Sequence, residues 1–406
     1  MGAQDAALNK VLEKLDTISS RLDHIESKVE TQGDMIKDMN AGVVRRAIKF
    51  GTQDINDACG VVTIGTNELI GETGPKKSGE SEAKKEDRRK RQALGTKMFT
   101  FYLFVYAALT VVSGLDLLPV LSWETMKFDT AEVVSVWLRT HMWVPFALCF
   151  AYLVIIFGIQ FYMKDRAEFD LRKPLAAWSA FLAIFSIAAS IRTVPVLIKM
   201  LYEKGTHHVL CGDTRNDWVI DNPAGVWTMA FIFSKIPELI DTLFIVLRKR
   251  KLITLHWYHH VTVLLFCWHA WATFALTGIV FAAINASVHA IMYAYYAFTA
   301  LGYRPTSYAI YITLIQIMQM VVGTAVTFYI GYDMAFVTPQ PFRLDMKLNW
   351  DPLSKHQNTE PSCKGANSSN AIFGVTMYAS YLYLFCLFFY MAYLRPKKDT
   401  SKKKTN

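Results

Sequence analysis

The six cysteines, at 59, 149, 211, 267, 363 and 386, contain no Cys-x-x-Cys pair, so no structural zinc site is suggested by their spacing. Residues 1–40 have no continuous apolar stretch, which excludes a secretory signal there. No internal repeat is visible, and no apolar segment is interrupted by paired glycines. Both absences count against a lipid transporter, which with a receptor is the non-enzymatic reading of a multi-span chain with a polar core. Histidine is scarce, ten residues in 406. That scarcity matters below, because multi-metal membrane sites consume many imidazoles.

What the chain has in excess is apolar and aromatic surface: 52% hydrophobic residues, with 26 Phe, 19 Tyr and 10 Trp. The distribution is uneven. Residues 1–95 are polar and charged, whereas 97–394 hold most of the aromatic and aliphatic content, a pattern of a polar extension on a membrane domain. The net charge of +9 does not call for nucleic acid, because the basic residues gather at the ends of apolar segments, where membrane topology puts them.

Residues 8–39 carry a heptad. Leu8, Leu15, Leu22, Val29 and Ile36 occupy its first core position, and Val11, Ile18, Ile25, Gln32 and Met39 its second. This pattern predicts a cytosolic coiled coil over 1–40 that joins chains into a homo-oligomer, with Leu and Ile in this order favouring trimers or tetramers. An amphipathic helix lying on the membrane or on the protein is the alternative. Residues 41–95, with GETGPKKSGES and the run KKEDRRKR, are expected to be a flexible linker.

Segments long and apolar enough to span a bilayer follow at 99–121, 142–163, 174–200, 226–247, 253–274, 278–301, 306–330 and 371–394. Arg88–Arg91, Lys164, Arg166, Arg172, Lys173, Arg248–Lys251, Arg304, Arg395, Lys397 and Lys398 then fall on one side, which predicts both termini in the cytosol. On the other side lie 122–141, 201–225, 275–277 and 331–370. Two of these loops hold one cysteine each, Cys211 and Cys363, which predicts a disulfide in an oxidising lumen. Asn367-Ser368-Ser369 is a glycosylation sequon in the last loop.

Polar side chains inside a membrane are costly and so point to function. Here they form four groups: Lys235, Glu238, Asp241 and Thr242; His256, His259 and His260; Asn285, His289, Met292, Tyr293 and Tyr296; and Thr313, Gln316 and Gln319. Spacings of three and four keep the members of a group within an arc of about 100°, so four neighbouring spans each present a polar stripe to one internal cavity. Lone histidines such as His141 and His269 read as interfacial or packing residues, Gln316 and Gln319 as possible interhelical hydrogen bonds, and Lys235 with Glu238 as a possible structural ion pair. Three imidazoles within five residues are poor packing material. They suit either a metal or acid–base and nucleophilic work. A diiron desaturase or hydroxylase site would be starved of ligands with four histidines in the cavity, although three could hold one zinc. Imidazole can also shuttle protons and take an acyl group. Cys267, seven residues past His260, is the one cysteine placed to act as a nucleophile, with small apolar packing as its competing role.

The blocks KIPELIDT, LHWYHH, NASVHAIMYAYY and TLIQIMQ, in this order, resemble the signature blocks of the ELO family of membrane fatty acid elongases, over roughly 125–398 and including EFDLRKP at 168–174. The resemblance implies an all-α polytopic membrane protein with a seven-helix core. The span at 96–122 is then extra, giving eight spans: elongase domain 123–398, tail 399–406. It implies 3-oxoacyl-CoA synthase activity, in which acyl-CoA and malonyl-CoA give 3-oxoacyl-CoA, CoA and CO2. The resemblance also implies an acyl-imidazole on His259 with His289 facing it, His256 and His260 orienting or polarising the thioester, and Asn285 as a hydrogen-bonding partner. Lys235, Glu238 and Asp241 would line the cytosolic half, and no metal or other cofactor would be needed. Tyr293, Tyr296, Gln316 and Gln319 would contact substrate. Lys251 and Arg304 crowd the cytosolic ends beside the histidine motif, where they either meet the CoA phosphates or only follow the positive-inside rule. Trp257 and Lys251 resemble members acting on saturated and monounsaturated chains, where members acting on polyunsaturated chains carry Val or Ile and glutamine. A ketoacyl reductase, a dehydratase and an enoyl reductase would complete the cycle. The ending Lys403-Lys404-Thr405-Asn406 resembles a dilysine retrieval signal and predicts residence in the endoplasmic reticulum.

Overall fold

The computed structural model describes residues 82–337, 363, 366 and 368–394. The heptad of 8–39, the sequon asparagine Asn367, and the tail with Arg395, Lys397, Lys398, Lys403 and Lys404 lie outside the described residues. The described residues form ten α-helices and no strand: α1 (Glu82–Gly114), α2 (Phe128–Thr140), α3 (Trp143–Tyr162), α4 (Arg172–Cys211), α5 (Pro223–Ser234), α6 (Ile240–Leu247), α7 (Thr254–Ala272), α8 (Gly278–Ala300), α9 (Ala309–Tyr332) and α10 (Ser368–Phe389). The chain is an all-α polytopic membrane protein. Among the described residues six segments, Glu82–Gly114, Trp143–Tyr162, Arg172–Cys211, Gly278–Ala300, Thr306–Val337 and Ser368–Leu394, are long and apolar enough to cross a bilayer. Large hydrophobic residues such as Phe104, Phe150 and Phe161 face outward at 71–81% exposure, as a lipid-facing surface requires.

The other two expected spans differ in kind. The segment 226–247 is not one helix. It breaks after Ser234 into a 3-10 turn, Pro237–Leu239, before α6 resumes. Pro237 has no N–H to donate, and its ring crowds the carbonyl of residue 233. The backbone tightens in response: Lys235 N–H bonds to Ile232 O at 3.3 Å and Ile236 N–H to Phe233 O at 3.1 Å. The segment 253–274 is the 19-residue α7, which carries the three clustered histidines.

Three boundaries depart from expectation. The expected linker ends in a helix, because 82–95 belong to α1; Lys85–Glu82, Lys90–Glu86 and Arg91–Asp87 pair along its exposed face. The same helix stops at Gly114 rather than near 121, where Asp116 takes a positive φ of 55° and Pro119 follows. The loop expected at 122–141 contains α2, whose Ala131 and Leu138 are fully buried and whose Leu138 carbonyl accepts the Trp268 indole N–H at 2.9 Å.

α1 is packed into the bundle. Phe99 is fully buried among Tyr102, Tyr295, Phe298 and Tyr308, with ring centroids 5.0–6.0 Å away. Tyr102 OH donates to Ala290 O (2.8 Å), Tyr106 OH to Ser190 Oγ (2.9 Å), and Ser113 Oγ to Ile191 O (2.5 Å). Gly95 lets this helix approach the α8–α9 turn closely, since a Cβ there would sit 3.1 Å from Tyr303. At that same end Lys249 Nζ donates to the carbonyls of Lys164 and Arg166, each at 2.9 Å, so the basic loops after α3 and α6 are tied together. The opposite end is held by Arg192, which donates to both carboxylate oxygens of Glu124 at 3.0 and 2.7 Å, while Trp227 Nε1 adds a third bond at 2.8 Å. Burial opposes the charge on Glu124, but the Leu121 N–H, Arg192 and Trp227 outweigh it and hold the carboxyl below its ordinary value.

Cys211, at the end of α4, is joined to Cys363 in a disulfide across 152 residues of sequence. Closing so long a loop restricts the unfolded chain strongly. Mapping of peptides without reductant should recover both cysteines in one cross-linked species, and Cys363→Ser should lower stability by about 3–5 kcal/mol. Two free thiols would contradict the pairing.

Candidate active site

The break at Pro237 organises the site. In a 3-10 turn residues i and i+3 eclipse, so the tightened backbone sets the Lys235 ammonium on the Glu238 carboxylate, at 2.7 and 3.0 Å from its two oxygens. Both side chains are buried, at 1% and 4% exposure. Ser234 Oγ donates to Glu238 at 2.8 Å, the Phe231 ring lies 4.0 Å from the ammonium, and Asn285 Oδ1 of α8 accepts from it at 3.4 Å. The ion pair is thus fully partnered within an apolar bundle, as a buried charge must be.

One turn further, Asp241 and Thr242 reach four other helices. The Asp241 carboxylate accepts from Trp178 Nε1 of α4 and from Tyr293 OH of α8, each at 2.6 Å. The Thr242 hydroxyl bonds to Tyr152 OH of α3 (2.8 Å) and to His256 Nε2 of α7 (2.9 Å). The turn 235–242 therefore bonds to α3, α4, α7 and α8.

The α7 histidines form a contiguous group. The rings of His256 and His260 lie 4.5 Å apart, and those of His259 and His260 lie 5.5 Å apart. Tyr381 of α10 covers His259 at 5.1 Å and donates to its carbonyl at 3.2 Å. His260 is buried, and its Nδ1 has no hydrogen-bond partner among the described residues. An orphaned buried polar atom in such a group is what a substrate would satisfy. On α8, His289 follows Asn285 by one turn, and its ring meets Tyr293 at 5.2 Å. Cys267 is buried about two turns past His260 on α7 and lines a small apolar cavity with Phe231, Ile232, Phe266 and Phe281.

Of the residues expected to line the site, Lys235, Glu238, Asp241, His256, Asn285 and Tyr293 are joined by the hydrogen bonds above, and His259, His260 and His289 by ring contacts. Others stand apart. Gln316 reaches the Met292 thioether at 3.1 Å, Gln319 lines a separate small cavity with Phe281, Gly323 and Tyr378, and Tyr296 packs on Tyr293 at 6.2 Å. Arg304 sits in the α8–α9 turn beside Gly95. Lys251 precedes α7, and its Nζ is buried without a hydrogen-bond partner among the described residues. His269 is held by Ser369 and Asn370, both at 3.2 Å. His207, Cys211 and Asp333 lie within 4.8 Å of one another, but the Cys211 sulfur is in the disulfide. Trp178, Tyr152 and Tyr381 were not evident in the sequence. Each is one aromatic residue in an apolar run, and only a partner on another helix gives it meaning.

The family model described as ELO: GNS1/SUR4 family matches residues 137–401. Very long chain fatty acid elongase 6 of Gallus gallus is 37% identical over 281 residues, covering 69% of this chain and 94% of that protein. The protein of the same name from Mus musculus is 37% identical over 277 residues, 68% and 94% of the two chains. Fatty acid elongase 2 of Trypanosoma brucei brucei is 37% identical over 276 residues, 66% and 94% of the two chains. The family match begins within α2, so α1 lies outside it.

Glu238→Leu leaves the Lys235 ammonium buried and uncompensated, and should cost about 3–5 kcal/mol of stability in detergent. The double variant Lys235→Met/Glu238→Leu should regain most of the melting temperature but not the activity. Recovery of both would make the pair structural only.

Proposed function

The chain belongs to the ELO (GNS1/SUR4) family and is a membrane fatty acid elongase that condenses acyl-CoA with malonyl-CoA; on that premise we propose that His259 carries the acyl group between the two halves of the reaction. The observation that carries this reading is the group of three imidazoles on α7, in which His260 Nδ1 is left without a partner beside the ring of His259. The unprotonated nitrogen of His259 attacks the thioester carbonyl. The carbon–sulfur bond breaks, and the CoA thiolate leaves with the imidazole proton as CoA thiol, giving a neutral acyl-imidazole. Malonyl-CoA then loses CO2, and the enolate carbon attacks the acyl carbonyl. The carbon–nitrogen bond breaks, and the released imidazolate takes a proton from solvent. The products are 3-oxoacyl-CoA, CoA and CO2, which makes the enzyme a very-long-chain 3-oxoacyl-CoA synthase.

In this scheme His256 and His260 polarise the thioester carbonyl, His289 faces His259 from α8, and Asn285 is a hydrogen-bonding partner. The chemistry calls for no metal or cofactor. Cys267 packs beside α5 against Phe231 and Ile232 as an apolar side chain. The partnerless ammonium of Lys251 suits a CoA phosphate, since a buried cation needs a counter-charge; Arg304 is a second candidate at the α8–α9 turn. Trp257 and Lys251 favour saturated and monounsaturated chains. The remaining assignments rest on sequence: residence in the endoplasmic reticulum with cytosolic termini, a homo-oligomer through 8–39, and a cycle completed by a ketoacyl reductase, a dehydratase and an enoyl reductase.

Purified protein given acyl-CoA and malonyl-CoA should release CO2. His259→Ala should abolish that release at an unchanged melting temperature, Cys267→Ala should retain it, and Lys251→Gln should raise the KM for acyl-CoA. A fully active His259→Ala variant would exclude the carrier role.

A further inference from the structure

Thr242 stands next to Asp241 and is fully buried. Its hydroxyl lies between Tyr152 OH at 2.8 Å and His256 Nε2 at 2.9 Å. Tyr152 is itself 5% exposed, and Thr242 is its sole hydrogen-bond partner among the described residues. Three groups on three helices, α3, α6 and α7, thus form one chain of hydrogen bonds that ends on a histidine of the reacting motif.

The direction of that chain follows from its donors. A buried phenol without another acceptor must spend its single proton on Thr242. Thr242 accepts there, so its own proton goes to His256 Nε2. That nitrogen is then the acceptor, and in a neutral imidazole the ring proton resides on Nδ1. The His256 ring is fixed in orientation by the same bond and stands 4.5 Å from that of His260.

We propose that Thr242, backed by Tyr152, is a positioning residue that holds His256 as the neutral Nδ1–H tautomer, so that this N–H is the donor presented to the thioester oxygen as charge develops on it. The proposal rests on the reading that the α7 histidines are the reacting centre. Preorganised donors of this kind act on the transition state more than on ground-state binding, so the effect should fall on kcat.

The test uses the full-length enzyme and CO2 release at varied acyl-CoA. Thr242→Val removes the hydroxyl and keeps the branched shape; it should lower kcat about tenfold or more while KM changes less than about twofold. Thr242→Ser keeps the hydroxyl and should retain kcat within about threefold of wild type. Because Thr242→Val also strands the Tyr152 hydroxyl, the double variant Thr242→Val/Tyr152→Phe should recover the melting temperature without recovering kcat. Tyr152→Phe alone frees Thr242 to turn, and should lower kcat at an unchanged melting temperature. Wild-type kcat in Thr242→Val, equal losses in Thr242→Val and Thr242→Ser, or a double variant that regains kcat with stability would each overturn the proposal. So would a Tyr152→Phe enzyme with unaltered kcat, even if Thr242→Val does not fold. His259→Ala separates the two levels: if it is inactive while Thr242→Val is fully active, the positioning role alone fails, and if it is fully active the underlying reading fails.

Discussion

A lysine and a glutamate sit side by side in the interior of an apolar helical bundle, and the surrounding structure is arranged to make that tolerable. Each charge, taken from water alone, would cost several kcal/mol. Here the ammonium meets both carboxylate oxygens, an aromatic face and Asn285, while the carboxylate takes a further bond from Ser234. The proline that breaks the span produces the tight turn that brings residues 235 and 238 into register. The following turn of helix then places Asp241 and Thr242 where their bonds to α3, α4, α7 and α8 tie the bundle to the pair. The defect in the helix and the polar network are one feature, because an unbroken apolar helix would supply neither the geometry nor the groups.

The two ends of the bundle play different parts. At one, the basic loops meet, Lys249 bonds back to the segment after α3, and the buried Lys251 Nζ has no hydrogen-bond partner among the described residues. At the other, the disulfide and the Arg192–Glu124–Trp227 cluster close the bundle with bonds that involve no member of the histidine motif. The helix α1, outside the family match, adds a buried phenylalanine and a tyrosine hydroxyl against α8, the helix that carries Asn285, His289 and Tyr293.

Much of this was legible in the sequence because it is periodic or sharply clustered. The apolar runs marked the helices, the HxxHH spacing marked the site, and the alternation of basic and cysteine-bearing loops led to the Cys211–Cys363 pair. What escaped is what depends on a neighbour far along the chain. Trp178 and Tyr152 are single aromatics in apolar runs until Asp241 and Thr242 meet them. The burial of α1 against α8 has no local signal beyond a phenylalanine and a tyrosine, and the short amphipathic α2 was hidden in a segment that reads as a loop. Pro237 was visible, but a span of suitable length concealed its consequence, the tightened turn on which the ion pair depends.

The central claim, a histidine acting as covalent carrier within this cluster, is tested most directly by incubating the full-length enzyme with acyl-CoA in the absence of malonyl-CoA, then quenching and mapping the α7 peptide by mass. The account predicts one equivalent of CoA released per active site and an acyl group on His259, discharged as 3-oxoacyl-CoA when malonyl-CoA is added. Release of CoA only after malonyl-CoA is present, or an acyl group recovered on Cys267, would contradict it.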